Sequence, residues 1–318
     1  MHDQGVLNLA WSEALICGMT ASGVVRAVIS PGARSTPLVL ACERAPRIET
    51  HVINDERCAA FFALGIAKQN RLPTVLIGTS GSAAAHWHPA VIEAYHAGIP
   101  LLLLSADRPP ELRDWGFNQT TDQQRLFGTH AKAFHDPGPP VAGVPAAFMR
   151  VLGRKAVHQA LSPTSGPVHI NLPFREPLTP DQLPPPLMDS PAGPLVDRRT
   201  PVSTDDLTRA IALISRAPGA IVCGPASPDP GFATAVANLA HRLEAPVFAD
   251  PLSGLRFGAH DKTRVVSRYD TFLRNATHEG AHRPRWILRF GATPVSKALN
   301  KYIEDSEAST ILISPGDR

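Results

Sequence analysis

The stretch Ile48–Gln69, IETHVINDERCAAFFALGIAKQ, leads a short β-branched segment through an acidic turn into a long apolar run. IETHVIN has the composition of a strand, and every residue from Cys58 to Ala67 is apolar or Gly. A strand that turns directly into a helix is the repeating unit of a parallel sheet. Asp55 and Glu56 stand at the junction. Asp55 is placed to cap the helix and Glu56 to complement the positive end of its dipole. The other reading is that Glu56 is held in a buried place because a ligand needs it. A helix this apolar is expected to be buried on most of its faces.

The same alternation extends in both directions. VVRAVISPG (24–32) and PTVLIGTSG (73–81) read as strands ending in small-residue turns, followed by helical spacing in TPLVLACERA (36–45) and SAAAHWHPAVIEAYHAG (82–98). IPLLLLSAD (99–107) suits a central strand, AAFMRVLGRKAVHQAL (146–161) a helix and GPVHINLP (166–173) a last strand. From Pro177 to Pro201 the chain becomes rich in proline, which reads as a semi-rigid connection. A second series follows, with strands expected at 219–226, 245–251, 285–292 and 309–316 and a helix at 232–244. The expectation is an α/β protein of two doubly wound domains with largely parallel sheets: residues 1–176, a linker at 177–201, and residues 202–318. Ligands bind such sheets beyond the carboxyl ends of the strands. The turns at Pro31-Gly32, Asn54-Asp55-Glu56, Thr79-Ser80-Gly81 and Asp107-Arg108 all fall on that edge.

A chain of 318 residues, 43% hydrophobic and 19% charged, is globular in character, and its formal charge of +3 is small. Lys and Arg are scattered without a basic stripe, which argues against nucleic acid as a partner. The longest apolar run is too short to span a bilayer, and the N-terminus lacks the apolar core of a signal peptide. Cys17, Cys42, Cys58 and Cys223 form no CxxC pair and are expected as buried thiols in a reducing cytoplasm. The histidines are read as dispersed, His86 and His88 being the closest pair, with no third metal ligand beside them.

SPGARSTP (30–37) projects Arg34 from a strand-to-helix turn, although an Arg in a loop is ordinarily solvated. GTSGSAAAH (78–86) offers Thr79, Ser80, Gly81 and Ser82, a turn whose backbone can approach a ligand closely. It has neither the dinucleotide nor the P-loop spacing. SADRPPELRDWGFNQTTDQ (105–123) brings Asp107, Arg108, Asn118 and Gln119 after a strand end.

Seven ordered blocks (ISPGARSTPL, NDERCAAFFALGIAK, TSGSAAAHWHPAVIEA, LLLLSADRPPELRDWGFNQTTDQ, GPVHINLPFREPL, ADPLSGLR and LRFGATPVSKAL) resemble the MenD family of thiamine diphosphate-dependent synthases of menaquinone biosynthesis. The resemblance covers essentially the whole chain. It implies a pyrimidine-binding domain followed by a central domain of the TH3 type. It also implies that Glu56 is catalytic, hydrogen-bonding the cofactor's aminopyrimidine ring, and that Thr79, Ser80, Gly81 and Ser82 contact the cofactor. The implied substrates are 2-oxoglutarate and isochorismate, both carboxylates, with Arg34, Arg108, Asn118, Gln119 and Lys297 as the groups that bind them. Ala33 stands where many relatives carry Ser, and Ala298 where some carry a second basic residue.

The family's GDG motif, which binds diphosphate and its Mg2+ or Mn2+, has no counterpart here. The chain is therefore expected to correspond to the first two of three domains, the metal ligands and the missing domain being supplied in cis or in trans. A cytoplasmic homo-oligomer is implied. A non-catalytic scaffold derived from such an enzyme, and a different thiamine diphosphate carboligase, are the alternatives. Joint retention of Glu56, Arg108 and Lys297 weighs against the first and the INLPFREPL block against the second.

Overall fold

A computed structural model describes residues 3–187, 203–214, 218–226, 229–274 and 283–313, in two compact units, Met1–Arg198 and Arg199–Arg318. The strands of the first unit are β1 (Arg26–Ile29), β2 (Glu49–Val52), β3 (Thr74–Gly78), β4 (Leu101–Asp107), β5 (Ala133–His135) and β6 (Val168–Pro173). They form one sheet in the order β2-β1-β3-β4-β6-β5, with every neighbouring pair parallel. Its helices are α1 (Gln4–Thr20), α2 (Thr36–Glu43), α3 (Glu56–Asn70), α4 (His88–Ala97) and α5 (Ala147–Leu161). β3 and β4 are buried at every position, which is why they read as largely apolar runs, VLIG and LLLL, and why Ser105 and Asp107 at the end of β4 are buried too. Val75, Ile77, Leu102 and Leu104 face a core shared with α1, α2 and α5. Leu76, Leu101 and Leu103 point the other way, into a core shared with α3 and α4. Strand pleat thus sorts one apolar run between two layers of helix.

α1 lies where the sequence reading places no element. It is buried on nearly every face, so it lacks the polar stripe that marks an amphipathic helix. It packs closely on α5: a Cβ on Gly18 would lie 2.1 Å from the Arg150 carbonyl oxygen, and one on Gly153 would lie 2.4 Å from that of Leu15. The segment 82–98 is not one helix. A 3-10 turn, Ala83–Trp87, precedes α4, whose first turn contains Pro89, a residue that starts helices but cannot continue them. Residues 177–187 run beside α1, where Asn8 Nδ2 donates to the carbonyls of Arg175 and Pro177 and Arg44 donates to that of Pro184. The rest of the proline-rich stretch, 188–201, lies outside the described residues.

α3 corrects the expectation of burial on most faces. Ala59, Ala60, Ala63, Leu64 and Ala67 are buried, but Cys58, Phe61, Phe62 and Gly65 are exposed on the other side. Phe61 and Phe62 each keep 45% of their surface. Three cysteines are buried as expected, and burial pushes the Cys42 and Cys223 thiols up to about 12; Cys58 is exposed.

The second unit contains β7 (Gly219–Cys223), β8 (Val247–Ala249), β9 (Val265–Val266), β10 (Trp286–Phe290) and β11 (Ser309–Ile313). They form a sheet in the order β11-β10-β7-β8-β9, again parallel throughout. α6 (Thr204–Ile214) and α7 (Phe232–Arg242) pack with one face of it, and α8 (Tyr269–Leu273) and α9 (Lys297–Asp305) with the other. Both units are α/β with parallel sheets, as the strand–helix alternation predicts.

Candidate active site

The strand order of the first sheet reverses between β1 and β3, which makes the crevice at their carboxyl ends the place where such sheets bind ligands. The turns after these two strands touch. A Cβ on Gly32 would lie 2.3 Å from Thr79 Cβ, so only a hydrogen fits between them. In the turn after β3, Thr79, Ser80 and Gly81 are buried and Ser82 is exposed. Gly81 has φ +88°, and a Cβ there would meet Gln119 Cγ at 2.8 Å; backbone conformation and close approach both demand glycine.

Three alternate side chains clamp this turn. Gln119 Nε2 donates to the Ser80 carbonyl at 3.0 Å, Thr121 Oγ1 donates to the Gly81 carbonyl at 3.0 Å, and the Gly81 N–H donates to Gln123 Oε1 at 3.0 Å. Gln123 is buried and donates in turn to the Ala106 carbonyl and to Asn171 Oδ1. Asn171 Nδ2 donates to Asp107 at 2.9 Å, and Arg113 pairs with the same Asp107 oxygen at 2.8 Å. Burial pushes the Asp107 carboxyl up, although Asn171 and Arg113 hold it down. Behind this network, Ser105 Oγ lies 2.8 Å from His169 Nε2, and burial lowers the His169 imidazole to about 3, so the ring is neutral. Gln123, Asn171 and His169 were not singled out from the sequence. Each is an ordinary polar residue whose role comes from partners far along the chain.

Glu56 is the first residue of α3, at the carboxyl end of β2, and is half-buried. Asp55 takes the cap, its Oδ1 accepting the Cys58 N–H at 2.8 Å, and this bond holds the Asp55 carboxyl below its ordinary value. Among the described residues the Glu56 carboxylate has no hydrogen-bond or ion-pair partner. The helix end is already served, which leaves Glu56 available.

Arg34 follows β1 and is buried; Arg108 follows β4. Both approach Glu176 Oε1, at 2.7 Å and 3.5 Å. Glu176 lies in the FREPL block but drew no attention as a sequence feature. Asn118 is exposed on the loop that carries Trp115 and Phe117. Lys297 belongs to the second unit, exposed at the first position of α9, where Ser296 caps the helix by accepting the Leu299 N–H. Four polar atoms on the strand-end segments of the first unit are buried without a hydrogen-bond partner: Ser30 Oγ, Arg34 Nε, Ser80 Oγ and Arg108 Nε. Other buried atoms without a partner, Arg113 Nε, Trp87 Nε1 and Arg289 Nε among them, lie elsewhere, so these four are hydrogen-bonding capacity at the strand ends and not a concentration unique to them.

The histidines are less dispersed than expected. His130 lies between His88 and His96, with ring centroids 5.8 and 5.9 Å away. Among the described residues no group of three His, Cys, Asp or Glu side chains could hold a metal ion.

Comparison with known proteins gives the following similarities. Residues 10–126 match the family described as thiamine pyrophosphate enzyme, N-terminal TPP binding domain. The chain is 45% identical to the 2-succinyl-5-enolpyruvyl-6-hydroxy-3-cyclohexene-1-carboxylate synthase of Dechloromonas aromatica, over 100% of this chain and 59% of that protein. It is 44% identical to the synthase of the same name from Geobacillus kaustophilus, over 94% of this chain and 52% of that protein. For the Myxococcus xanthus synthase the identity is 42%, over 99% and 56%. The chain thus spans little more than half the length of these relatives. Residues 10–126 match the thiamine pyrophosphate enzyme N-terminal domain family, and the chain over nearly its whole length is similar to part of proteins named 2-succinyl-5-enolpyruvyl-6-hydroxy-3-cyclohexene-1-carboxylate synthase.

Proposed function

We propose that this chain supplies the pyrimidine-binding domain (1–176), a connection (177–201) and the TH3-type central domain (202–318) of such a synthase. The reaction is the decarboxylation of 2-oxoglutarate and the addition of the resulting succinyl-semialdehyde unit to isochorismate, with thiamine diphosphate as cofactor. The observation that carries this reading is Glu56, a half-buried, unpartnered carboxylate at the carboxyl edge of a parallel sheet, with the helix cap already provided by Asp55.

The residues present fit an aminopyrimidine. Glu56 offers a free acceptor, Ser80 Oγ is a buried hydroxyl without a partner, and the Gly32–Thr79 contact keeps the crevice wall bare of bulk. When bound, the cofactor supplies the carbon nucleophile and electron sink that decarboxylation of a 2-oxo acid requires. Glu56 exchanges a proton with the pyrimidine ring nitrogen and so governs the protonation of the exocyclic amine. Arg34 and Arg108 hold a substrate carboxylate through their planar forks. Asn118, Gln119 and Lys297 are the further substrate contacts, and Thr79 to Ser82 line the cofactor.

Residues outside this chain hold the diphosphate and its Mg2+ or Mn2+, a reading supported by the chain's share of its relatives' length. The exposed Phe61 and Phe62 support a homo-oligomer. Free thiols accord with a cytoplasmic setting. No helix among the described residues is long and apolar enough to cross a membrane.

The test is Glu56→Gln in the enzyme assembled from this chain and the remainder of the synthase. Turnover should fall by about 10²–10⁴-fold, the usual contribution of acid–base catalysis, with little change in thermal stability. Turnover within about threefold of the parent would reduce Glu56 to a helix-end charge.

A further inference from the structure

Arg34 and Arg108 come from two different strand ends to one carboxylate oxygen. Arg34 is 4% exposed; its Nη2 donates to Glu176 Oε1 at 2.7 Å and its Nη1 to the Phe174 carbonyl at 2.9 Å. Arg108 Nη1 stands 3.5 Å from the same Glu176 oxygen. The Nε atoms of both guanidinium groups are buried without a partner. Two positive charges against one negative charge leave the cluster cationic. Glu176 itself is 69% exposed, so the one carboxylate among the described residues that pairs with these two largely buried cations sits on a solvent-facing side chain. A buried guanidinium is costly without a counter-charge, whereas an exposed ion pair is readily exchanged.

We propose that Glu176 is an internal substitute for a ligand carboxylate: it compensates Arg34 and Arg108 while the site is open, and a carboxylate ligand displaces it. This rests on the reading of the two arginines as a carboxylate site. Glu176 then acts as an intramolecular competitor. It keeps a buried cation compensated in the empty protein, and it sets how strongly an incoming carboxylate must bind. Displacement needs only rotation of an exposed side chain, while the arginines stay anchored, Arg34 by the Phe174 carbonyl.

The test is calorimetric titration of the chain with succinate as a simple dicarboxylate probe, at low ionic strength. The proteins compared are the parent, Glu176→Gln, Arg108→Ala and the double variant. Gln keeps a neutral oxygen acceptor for Arg34 and removes only the competing charge. Succinate should bind Glu176→Gln about fivefold more tightly than the parent, the scale of one partly exposed ion pair. Adding Arg108→Ala should cancel that gain. Should Glu176→Gln fail to fold, as judged by circular dichroism, Glu176→Asp replaces it: its shorter reach withdraws the charge from Arg34, and a smaller tightening is expected. Parent binding that stays equal or weakens in the folded variant would overturn the proposal and make Glu176 a fixed part of the scaffold. No succinate binding by any of the proteins would overturn the carboxylate reading of the arginine pair itself.

Discussion

Replacing Gly32 by Ala tests how closely the turns after β1 and β3 must approach. Gly32 has φ 178°, extended backbone that alanine adopts without strain, so the effect of the new methyl group is purely steric. It would lie 2.3 Å from Thr79 Cβ, 2.5 Å from Cγ2 and 2.7 Å from Oγ1. Carbon–carbon contacts are comfortable at about 3.5–4 Å, so the two turns must part by roughly 1 Å. Thr79 is buried and its Cβ is fixed to the backbone, so the strain cannot be relieved by rotating a side chain. Overpacking of this kind costs about 1–3 kcal/mol, or about 2–12 °C in Tm for a unit of this size. Urea unfolding followed by tryptophan fluorescence reads it, because Trp11, Trp87 and Trp115 all lie in the first unit. Thr79→Gly removes the clashing atoms, so the double variant should recover at least about 0.5 kcal/mol relative to the sum of the single changes. Strict additivity, with an unchanged midpoint for Gly32→Ala, would refute the contact and with it the account of the crevice wall.

Gln123→Leu should cost about 1–3 kcal/mol, because the Gly81 N–H and the Ala106 carbonyl lose a buried partner; hydrogen exchange at Gly81 should quicken, and an unchanged urea midpoint would count against the clamp. Stability should also depend on pH through His169. The folded imidazole titrates at about 3 against an ordinary 6.5, so the unfolded chain takes up a proton that the folded one refuses. Its contribution is complete above the ordinary value and is lost as pH falls from there toward the folded value. Urea midpoints measured across that acid range should decline, and His169→Gln should flatten the decline; an equal slope in both proteins would show that other groups carry it.

The parallel α/β architecture was legible because β3 and β4 are built on the apolar runs VLIG and LLLL and each is followed by a turn rich in Gly, Ser or Pro. α1 was not, because burial on almost every side removes the periodicity by which a helix is recognised. β5 is three half-buried residues and offers too short a pattern to read. Apolar composition misled at α3, since Phe61 and Phe62 look the same in sequence whether they face a core or solvent. Glu56, Arg34 and Arg108 could be placed at the carboxyl edge because that edge is predictable from strand ends, but the roles expected of them came from the family resemblance and not from the strand pattern. The arrangement around them could not. Arg34 and Glu176 are far apart in sequence, as are Gly81 and Gln123, and nothing local in either residue of a pair announces the other.

The packing of α1 on α5 has a consequence for the order in which the protein can fold during synthesis. Residues 21–146 must leave the ribosome after α1 before α5 begins to appear. At about 5–20 residues per second this takes about 6–25 s. β6 comes later still, although it must insert between β4 and β5 to complete the sheet. Throughout that interval a largely apolar segment, which the finished protein buries on nearly every side, waits without its second helical neighbour. Chaperone binding sites in a translating chain should therefore concentrate on α1, a helix that the finished protein largely hides.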